Sequence, residues 1–587
     1  MFRFPDVQTR LSRLSSNPAP PTPPKRGAEL AALGLCALVG VLISVWPHLV
    51  WWPRIGVPYW LASNDDLLYL SIAAQAYHEH PFWIGDPTQA AGGATLYPPL
   101  QLVPGIVTAR LLGLGPLGIG LVWRVWTGFS LALGFYLIAR LGTSRPRATA
   151  CLALLMLLDC GFMDSRPVFQ QFRLVARVAR NRPGDLFDTY PQIFRQDRII
   201  TPGLSLIALA LHVWLLQRAR ARPSWRNLAL SGLGFGLLCH TYFYYWTGAG
   251  LALVLTFALD RGHRAAPLHT AWIGALIGLP EIVRGFLLKQ SAADGWPMRT
   301  DKFLPISHTA ELLIHKEALV MLALTFVWVW SRQRRWLALW ALAASGWLLA
   351  NHALITGLQI ENDHWAYVRA PSLTFLLMLL VIVPVVDRLC GSRRGFAALA
   401  AFLALFGIIG FGLRHAEVVR SREPIENQAR LHAYWSQRVT PRPPPLVPNS
   451  VLAGDRGFVD LAAIQEDQRP LNHYAADFSP SISDAEWDAR YALNAYLLGV
   501  DRAAFEIQLE QWLERQVWGA WGRGRSAARR AERRAGRLAA FDEVVANPNA
   551  ALDRFAVRYL ALPSGRPPPD GWTLLQHGAT WDIWERR

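Results

Sequence analysis

The chain has 587 residues, of which 52% are hydrophobic and 17% are charged, and its mean hydropathy is +0.19. This hydropathy is too high for an ordinary soluble protein and too low for a chain that lies entirely in a membrane, so we expect a membrane part joined to a water-soluble part. The net charge is +17, but most cations lie between apolar segments, which favours a role in membrane topology over nucleic-acid binding.

Residues 1–27 are polar, basic and rich in proline, and they lack the pattern of a cleavable signal peptide. We therefore expect a cytoplasmic tail followed by an uncleaved first span. A spanning helix needs about 20 mostly apolar residues. Residues 28–413 contain about eleven such segments, which lie near Ala28–Val50, Pro116–Leu141, Ala148–Phe162, Thr201–Leu216, Asn227–Thr241, Tyr244–Leu259, Thr270–Leu288, Glu317–Trp330, Trp336–Leu358, Pro371–Val386 and Gly395–Leu413.

Arginines cluster in the short loops that follow every second span. They are Arg140, Arg145 and Arg147; Arg218, Arg220, Arg222 and Arg226; Arg261 and Arg264; Arg332, Arg334 and Arg335; and Arg388, Arg393 and Arg394. The positive-inside rule places these loops and the basic N-terminal tail in the cytoplasm. An odd number of spans then places the C-terminal residues on the extracytoplasmic side of a bacterial inner membrane.

The first external loop, residues 51–115, carries two adjacent acids, Asp65 and Asp66, directly after the first span. Acids at this point can cap the segment Leu67–His80, which we predict to be an interfacial helix, as we do Leu100–Leu114. One carboxylate is enough for a cap. The second favours a general base or a cation site at the membrane boundary.

Further polar residues belong to the same predicted side. The turn after a late span contains Glu361, Asp363 and His364. The loop 166–198 holds seven arginines, a density that short external loops normally avoid. Either an anionic phosphate at the interface or a basic helix lying on lipid would explain it.

Two apolar regions contain residues that a plain membrane helix does not need. The aromatic segment His240–Trp246 joins two short spans, and it is typical of an aromatic belt or of a wall on which a sugar stacks. Glu281 and Arg284 lie within an apolar segment, where charges are costly and often functional, although at this spacing the two can also pair with each other.

Beyond the last span, residues 414–449 are predicted to form a linker and residues 450–587 a small α/β domain. We predict strands at Ser450–Gly454 and Arg558–Leu562, helices at Ser483–Leu498 and Phe505–Phe541, and a closing hairpin over Trp572–Trp584. The second helix carries a run of arginines, for which a solvated face and contact with anionic lipid headgroups are both open. They are Arg523, Arg525, Arg529, Arg530, Arg533, Arg534 and Arg537.

Several common motifs are absent from the sequence. It contains no Walker A sequence, no GxSxG, no HExxH and no GxGxxG ahead of a helix, and its five cysteines form no disulfide framework or CxxC metal site. Nucleotide-driven chemistry in the cytoplasm is therefore unsupported. An enzyme on the external side has no nucleotide supply, so its donor would have to arrive activated on a lipid.

The order of these parts resembles the GT-C superfamily of integral-membrane glycosyltransferases. The resemblance covers most of the chain and rests on Asn64-Asp65-Asp66 in the first external loop, followed by interfacial helices, many spans and an exported domain. It implies a polytopic α-helical membrane protein with a GT-C-like fold and a C-terminal soluble α/β domain.

In such enzymes a sugar passes with inversion from a polyprenyl-phosphate donor to a glycan, lipid or protein acceptor outside the cytoplasm. The resemblance implies that Asp65 or Asp66 activates the acceptor hydroxyl, while the other orients the acceptor or holds a divalent cation such as Mg²⁺ or Mn²⁺. No cofactor is fixed by the sequence. The further candidates for substrate binding are Arg195, Arg198, His364 and Arg369 for the donor phosphate, together with Glu361, Asp363 and His240.

Two other functions compete with this interpretation. A transporter or flippase of a lipid-linked glycan should show internal repeats and broken helices in matching halves, and the sequence shows none. A non-catalytic assembly protein of the cell envelope would tolerate the replacement of Asp65 and Asp66 by asparagine, whereas an enzyme would not.

Overall fold

The computed structural model of the chain describes residues 26–62, 64–79, 84–88, 95, 97–159, 175–176, 179–180, 205–293, 296, 302–305, 308, 316–331, 336–360, 362–439, 443–473, 479–517 and 527–587. Within these ranges a bundle of apolar helices carries short helices at one end. A small α/β domain packs on those short helices. We call this end of the bundle the domain face.

The helices and strands of the membrane part are α1 (Arg26–Ile55), α2 (Asn64–His78), α3 (Pro99–Leu111), α4 (Gly118–Gly142), α5 (Pro146–Leu158), α6 (Ser205–Ala221), α7 (Trp225–Cys239), α8 (Phe243–Leu259), α9 (Ala265–Ser291), β1 (Lys302–Pro305), α10 (Lys316–Ser331), α11 (Leu337–Ala350), α12 (Ala353–Thr356), β2 (Leu358–Ile360), a 3₁₀ turn (Asn362–Trp365), α13 (Ala366–Leu377), a π turn (Met378–Ile382), α14 (Val383–Cys390) and α15 (Arg393–Arg420). β1 and β2 form a short antiparallel pair.

Each predicted span overlaps a helix in its described residues, but the predicted span Trp336–Leu358 is not continuous. There α11 ends at Ala350, the short α12 follows, and β2 begins at Leu358 after Gly357, which adopts a left-handed conformation. Among those residues, five helices are both long and apolar enough to cross a membrane: α1, α4, α9, the continuous run Ala366–Cys390, and α15. Other apolar helices, including α5, α8 and α11, are shorter. The protein therefore has the fold of a multi-pass membrane protein, and the number of spans stays a prediction.

The arginine-rich ends of several helices meet at the end of the bundle opposite the domain face. Arg140 at the end of α4 pairs with Glu29 at the start of α1, with Nε and Oε1 3.1 Å apart. Thr143 donates to the Asp387 carboxylate at 2.6 Å, and the Arg145 guanidinium donates to the Asp387 carbonyl at 2.8 Å. We call this end the basic face. The arginine-rich ends of α4 and α14 and the start of α1 thus lie together.

Small residues let the first helices approach closely. A Cβ on Gly40 of α1 would lie 2.3 Å from the Gly128 carbonyl oxygen of α4, and a Cβ on Gly128 would lie 2.4 Å from the Gly40 oxygen. Only glycine fits at such a crossing, because the two backbones are in contact. The same kind of packing joins α7 to α9 through glycines at a spacing of four on each helix: Gly232, Gly236, Gly274 and Gly278.

The C-terminal part contains α16 (Arg422–Arg438), β3 (Val451–Gly454), α17 (Arg456–Gln465), β4 (Arg469–Pro470), α18 (Asp484–Leu497), α19 (Arg502–Val517), α20 (Ala527–Ala546), α21 (Pro548–Arg554), β5 (Val557–Pro563), β6 (Trp572–Gln576) and β7 (Trp581–Arg586). The sheet has the order β4-β3-β5-β7-β6. β3 is parallel to both β4 and β5, whereas β7 is antiparallel to β5 and β6. The predicted strands, the closing hairpin and the helix capped by Ser483 are all present.

The domain and the first external loop share one hydrophobic core. Leu67 and Leu70 of α2 are buried in the same cluster as Leu431 of α16 and Phe458 of α17. The His78 Nε2 lies 3.2 Å from the Ile464 carbonyl oxygen across this seam. The segment Leu67–His80, predicted as an interfacial helix, is therefore covered by the C-terminal domain. Its apolar side chains are distributed around the helix, so protein packs on more than one of its sides.

Two features of the C-terminal part differ from the sequence predictions. Residues 414–449, predicted as a linker, are helical as far as Arg438, because α15 continues to Arg420 and α16 buries Leu431 and Tyr434 against the domain. The predicted helix Phe505–Phe541 is two helices, α19 and α20, with residues 518–526 outside the described part.

Three arginines of the run, Arg533, Arg534 and Arg537, have contacts that neither alternative predicted. Arg537 is fully buried and donates to Asp488 at 2.8 Å, while Arg533 donates to the same carboxylate at 2.8 Å. Arg534 pairs with Glu506 and with Glu510. These three arginines bind the domain's own acids. The side chains of Arg523, Arg525, Arg529 and Arg530 lie outside the described residues.

Candidate functional site

The acidic pair lies in the first turn of α2, immediately after α1 ends at Ile55 and the chain turns back at the domain face. Two carboxylates there complement the positive end of the helix dipole. Their surroundings differ, since Asp66 is 2% exposed and Asp65 is half-buried. The sequence did not indicate which of the two acids is the general base, and the structure shows that the two differ in burial.

Asp66 is held by a buried arginine. Its Oδ2 accepts a hydrogen bond from Arg124 Nη2 at 2.5 Å and another from the Ala62 backbone N–H at 2.7 Å. Arg124 lies near the start of α4 and is fully buried. A charge-assisted contact of this kind is stronger than a neutral hydrogen bond, and it fixes the carboxylate in one orientation.

Arg124 also binds the turn that follows α1. Its Nη1 donates to the Trp60 carbonyl at 3.1 Å and lies 3.4 Å from His48 Nε2, and its guanidinium carbon is 4.7 Å from the centroid of the Trp60 ring. The His48 Nδ1–H donates to the Pro58 carbonyl at 2.9 Å, which leaves Nε2 as the acceptor for Arg124. One guanidinium thus joins α1, the turn, α2 and α4. The sequence analysis did not single out Arg124, although a lone arginine inside an apolar span is a signal for a functional or structural partner.

Asp65 lies one residue away on the helix and so points in a direction about 100° from Asp66. Tyr69, one turn later, shares its face. The Tyr69 ring contacts the Tyr97 ring edge-on, with centroids 5.1 Å apart. The acid therefore faces the aromatic side of the first external loop, and Arg124 lies on a different side of α2.

The intramembrane charges of α9 reach the same loop. Arg284 donates to both oxygens of the Glu281 carboxylate, at 2.8 and 2.5 Å, as the spacing predicted. In addition its Nη1 donates to the Thr95 carbonyl at 2.6 Å, two residues before Tyr97. The ion pair thus attaches the first external loop to the bundle close to the aromatic contact of Tyr69.

A cluster of aromatic and histidine side chains follows α7. The His240 Nε2 lies 3.0 Å from the Ile277 carbonyl oxygen of α9. The Tyr242 hydroxyl lies 3.0 Å from His364 Nδ1, and the His364 ring is 4.9 Å from the Tyr244 ring, centroid to centroid. The structure therefore brings the aromatic segment 240–246 into contact with the turn that contains His364, which the sequence analysis treated separately.

The remaining candidates are placed less completely. Arg369 is buried on α13 with 6% of its surface exposed. Asp363 belongs to the 3₁₀ turn, but its side chain is not among those described. Glu361, Arg195 and Arg198 lie outside the described residues. Their roles stay predictions.

In the described residues no group of three or more His, Cys, Asp or Glu side chains is arranged to hold a metal ion. A divalent cation held between the two acids would need a carboxylate oxygen from each of them as a ligand. Oδ2 of Asp66 is bound to Arg124. Whether the acidic pair holds Mg²⁺ or Mn²⁺ stays a prediction.

Burial changes the acidity of one further carboxyl group in the first external loop. Asp86 is 3% exposed, and loss of water raises its pKa above the ordinary value. Hydrogen bonds from Ser479 and from the Thr88 hydroxyl and backbone N–H oppose this change. Asp86 thus links the loop to the C-terminal domain through Ser479.

Comparison with known proteins gives limited information. No model of a known protein family matches the chain, and no curated protein matches it. One similar solved structure is that of ArnT from Cupriavidus metallidurans in the apo state, with 11% sequence identity, a TM-score of 0.45, and coverage of 93% of this chain and 97% of that chain. At this TM-score the similarity carries no family, residue role or activity over to this chain.

Proposed function

We propose that this protein is a membrane glycosyltransferase that moves a sugar, with inversion, from a polyprenyl-phosphate donor to an acceptor on the extracytoplasmic side. The observation that supports the proposal best is the division of the acidic pair. Asp66 is held by Arg124 inside the protein, and Asp65 is half-buried one residue earlier, at the start of the helix that packs against the domain.

In the proposed reaction Asp65 is the general base. It removes the proton of the acceptor hydroxyl while the acceptor oxygen attacks the anomeric carbon. The bond from that carbon to the phosphate oxygen breaks, and the polyprenyl phosphate leaves with the electron pair. A single displacement of this kind inverts the anomeric centre. Asp66 acts differently, as a positioning residue that holds the start of α2 through Arg124.

Other residues have supporting roles in the proposal. Arg369, His364 and the arginines Arg195 and Arg198 remain the candidates for the donor phosphate, whose negative charge grows as it leaves. The rings of Tyr242 and Tyr244 provide faces on which a sugar can stack. Glu281 and Arg284 hold the first external loop against the bundle through Thr95.

The test is a comparison of Asp65→Asn with the unmodified protein in lipid nanodiscs, with undecaprenyl-phosphate-linked hexoses as donors. The measurement is the release of undecaprenyl phosphate. We expect Asp65→Asn to reduce the rate by about 10²- to 10⁴-fold, because a positioned general base contributes on that order. The thermal unfolding midpoint should stay unchanged.

Glu79→Gln is the matched control, since Glu79 follows the far end of the same helix and the charge change is the same. Its rate should equal that of the unmodified protein. If Asp65→Asn retained full transfer, Asp65 would not be the base. If no donor were consumed in nanodiscs while the protein in sealed liposomes moved lipid-linked hexose across the bilayer, the transporter alternative would replace the proposal.

A further inference from the structure

A cavity of about 400 Å³ lies in the C-terminal domain beside the edge strand β4, away from the acidic pair. Its floor is formed by Val451, Pro470 and Leu471 of the sheet edge, and one wall is Thr88 of the first external loop. The rest of the lining is Arg469, Glu486, Arg490, Arg554 and Phe555. A volume of this size is typical of sites for small ligands.

The charges around the cavity are unequal. Three arginines, Arg469, Arg490 and Arg554, face a single lining carboxylate, Glu486. Glu486 is already bound by Arg490, whose Nε and Nη2 lie 2.9 and 2.6 Å from its Oε1. Among the described residues no carboxylate lies within ion-pair distance of Arg469 or Arg554. Gathering like charges around one space is unfavourable unless an anion compensates them.

The arginines are also held in place. Arg490 is 9% exposed and donates through Nη1 to the Leu471 carbonyl at 3.1 Å. The guanidinium carbons of Arg490 and Arg554 are each 5.4 Å from the centroid of the Phe555 ring. Arg469 donates through Nε to the Asn449 carbonyl at 2.8 Å, which leaves its two Nη groups for other acceptors. Preorganised guanidinium groups suit the planar or bidentate recognition of phosphate.

One buried acid lies near the cavity. Asp86, behind Thr88, is close enough to Arg490 for attraction between the charges, and it is bound by Ser479 and Thr88. Even with Asp86 ionised, the three arginines exceed the two nearby carboxylates. The cavity therefore keeps a net positive charge.

We propose that this cavity binds a phosphate group carried by a small organic molecule, with Arg469 and Arg554 as the main contacts and Arg490 as the fixed third. The phosphate belongs either to a soluble sugar phosphate or to the headgroup of an anionic lipid. The proposal does not depend on the transfer reaction, since none of its residues belongs to the acidic pair or its surroundings.

The experiment uses the full chain in phosphatidylcholine nanodiscs, with glucose 1-phosphate as the probe and glucose as the neutral comparison, measured by isothermal titration calorimetry. We expect saturable binding of glucose 1-phosphate and none of glucose. The double variant Arg469→Gln/Arg554→Gln should weaken the affinity by about tenfold or more, because each charge-assisted contact to an anion is worth more than about 1 kcal/mol.

The charge-matched control is Arg422→Gln/Arg587→Gln, which removes two exposed arginines far from the cavity lining. It should bind glucose 1-phosphate within about twofold of the unmodified protein, since distant surface charges act weakly. Equal weakening by both double variants, or the absence of saturable binding to the unmodified protein, would overturn the proposal. Unchanged unfolding midpoints establish that both variants are folded.

A second arm distinguishes the two sources of phosphate. In nanodiscs of phosphatidylglycerol, a lipid headgroup that occupies the cavity would compete and weaken glucose 1-phosphate binding to the unmodified protein several-fold more than to Arg469→Gln/Arg554→Gln. Equal affinity in the two lipids would assign the cavity to a soluble phosphate. Both outcomes support a phosphate site and differ only in its source.

Discussion

At the level of single residues, Asp66 and Arg124 form an ion pair that is almost completely removed from water. The pair is not by itself a large source of stability, because both ions lose their hydration when the chain folds. Its importance lies in what remains when one partner is removed, namely an uncompensated charge between α1, α2 and α4. The pair therefore gives Asp66 a structural role, and the chemical role of Asp65 stays a proposal.

We expect Asp66→Asn to destabilise the protein by about 3–5 kcal/mol, since it leaves Arg124 buried without its counter-charge. Asp65→Asn makes the same chemical change one residue away at a half-buried position, and its effect should be far smaller. The measurement is chemical unfolding of both variants in the same detergent. Combining Asp66→Asn with Arg124→Met should recover much of the loss, and a fully additive loss would argue against the pair.

Asp460 and His473 are a second buried pair, located in the C-terminal domain with Nε2 and Oδ1 3.4 Å apart. Burial raises the pKa of Asp460 from 3.8 to about 7, against the attraction of Arg456 and Arg430. Burial, together with the nearby positive charge of Arg456, lowers the pKa of His473 from 6.5 to about 3. The two changes have opposite consequences for stability.

For Asp460 the folded state binds the proton more tightly, so its contribution is full below pH 4 and is lost as the pH rises to about 7. For His473 the unfolded state binds the proton more tightly, so its contribution is present above pH 6.5 and is lost as the pH falls towards 3. Between about pH 4 and 6.5 the two nearly cancel. We expect Asp460→Asn to make the thermal unfolding midpoint fall on acidification through this window, more steeply than in the unmodified protein. His473→Asn should give the opposite slope, and parallel curves for all three proteins would contradict the assignment.

At the level of elements, the helices of the bundle differ in what limits their approach. α1 crosses α4 at Gly40 and Gly128, where each backbone blocks the position of a Cβ on the other. Near its start, α1 has Gly34, around which a Cβ would meet nothing within 4 Å. One helix thus contains both a glycine required by packing and one that packing does not require.

Gly128→Ala should destabilise the bundle by about 1–3 kcal/mol, because the added methyl forces two backbones apart. Gly34→Ala should be neutral or slightly stabilising, since alanine is the better helix former and the position is open. Unfolding of the two variants in one detergent checks the difference. Equal effects would mean that α1 and α4 do not cross at these glycines.

In the C-terminal domain, arginines of one helix pair with acids of another. Arg533 and Arg537 of α20 bind Asp488 of α18, so most of the described part of the arginine run stabilises helix packing within the domain. Removal of water lowers the pKa of Arg537 to about 10, which still leaves it charged at neutral pH. A lipid-binding role for the run would have required these side chains at the surface.

At the level of the whole molecule, the two ends of the bundle are chemically distinct. The arginine-rich ends of α4 and α14 meet at the basic face, and the first external loop with its acidic pair packs against the α/β domain at the domain face. Under the proposed function, the lipid-bound donor would enter from the bilayer at the domain face and its sugar would be transferred there.

The orientation is testable by cysteine labelling in a variant whose native cysteines are replaced by serine. Ser564→Cys lies in an exposed turn of the domain, and Arg261→Cys lies in an exposed turn of an arginine-rich loop. A membrane-impermeant maleimide should label Ser564→Cys in intact spheroplasts and Arg261→Cys only after permeabilisation. The reverse pattern would place the domain in the cytoplasm and remove the basis for a polyprenyl-phosphate donor acting outside.

The sequence by itself determined the membrane class, the approximate positions of most described helices in the bundle and four of the five described strands of the C-terminal sheet, all but β4. A helix that crosses lipid must satisfy its own backbone hydrogen bonds and expose apolar side chains, so it appears in the sequence as a long apolar run. The strands of a small domain appear as short apolar segments bounded by turn residues. The paired spacing of Glu281 and Arg284 predicted their contact for the same local reason.

Only the tertiary structure shows that Asp66 forms an ion pair with Arg124, because Arg124 is 58 residues further along the chain. It also decided that residues 422–438 pack as a helix, and that arginines from β4, α18 and α21 surround one cavity. Such contacts join side chains distant in sequence, and their geometry depends on how the helices cross. Local patterns of polarity do not contain that information.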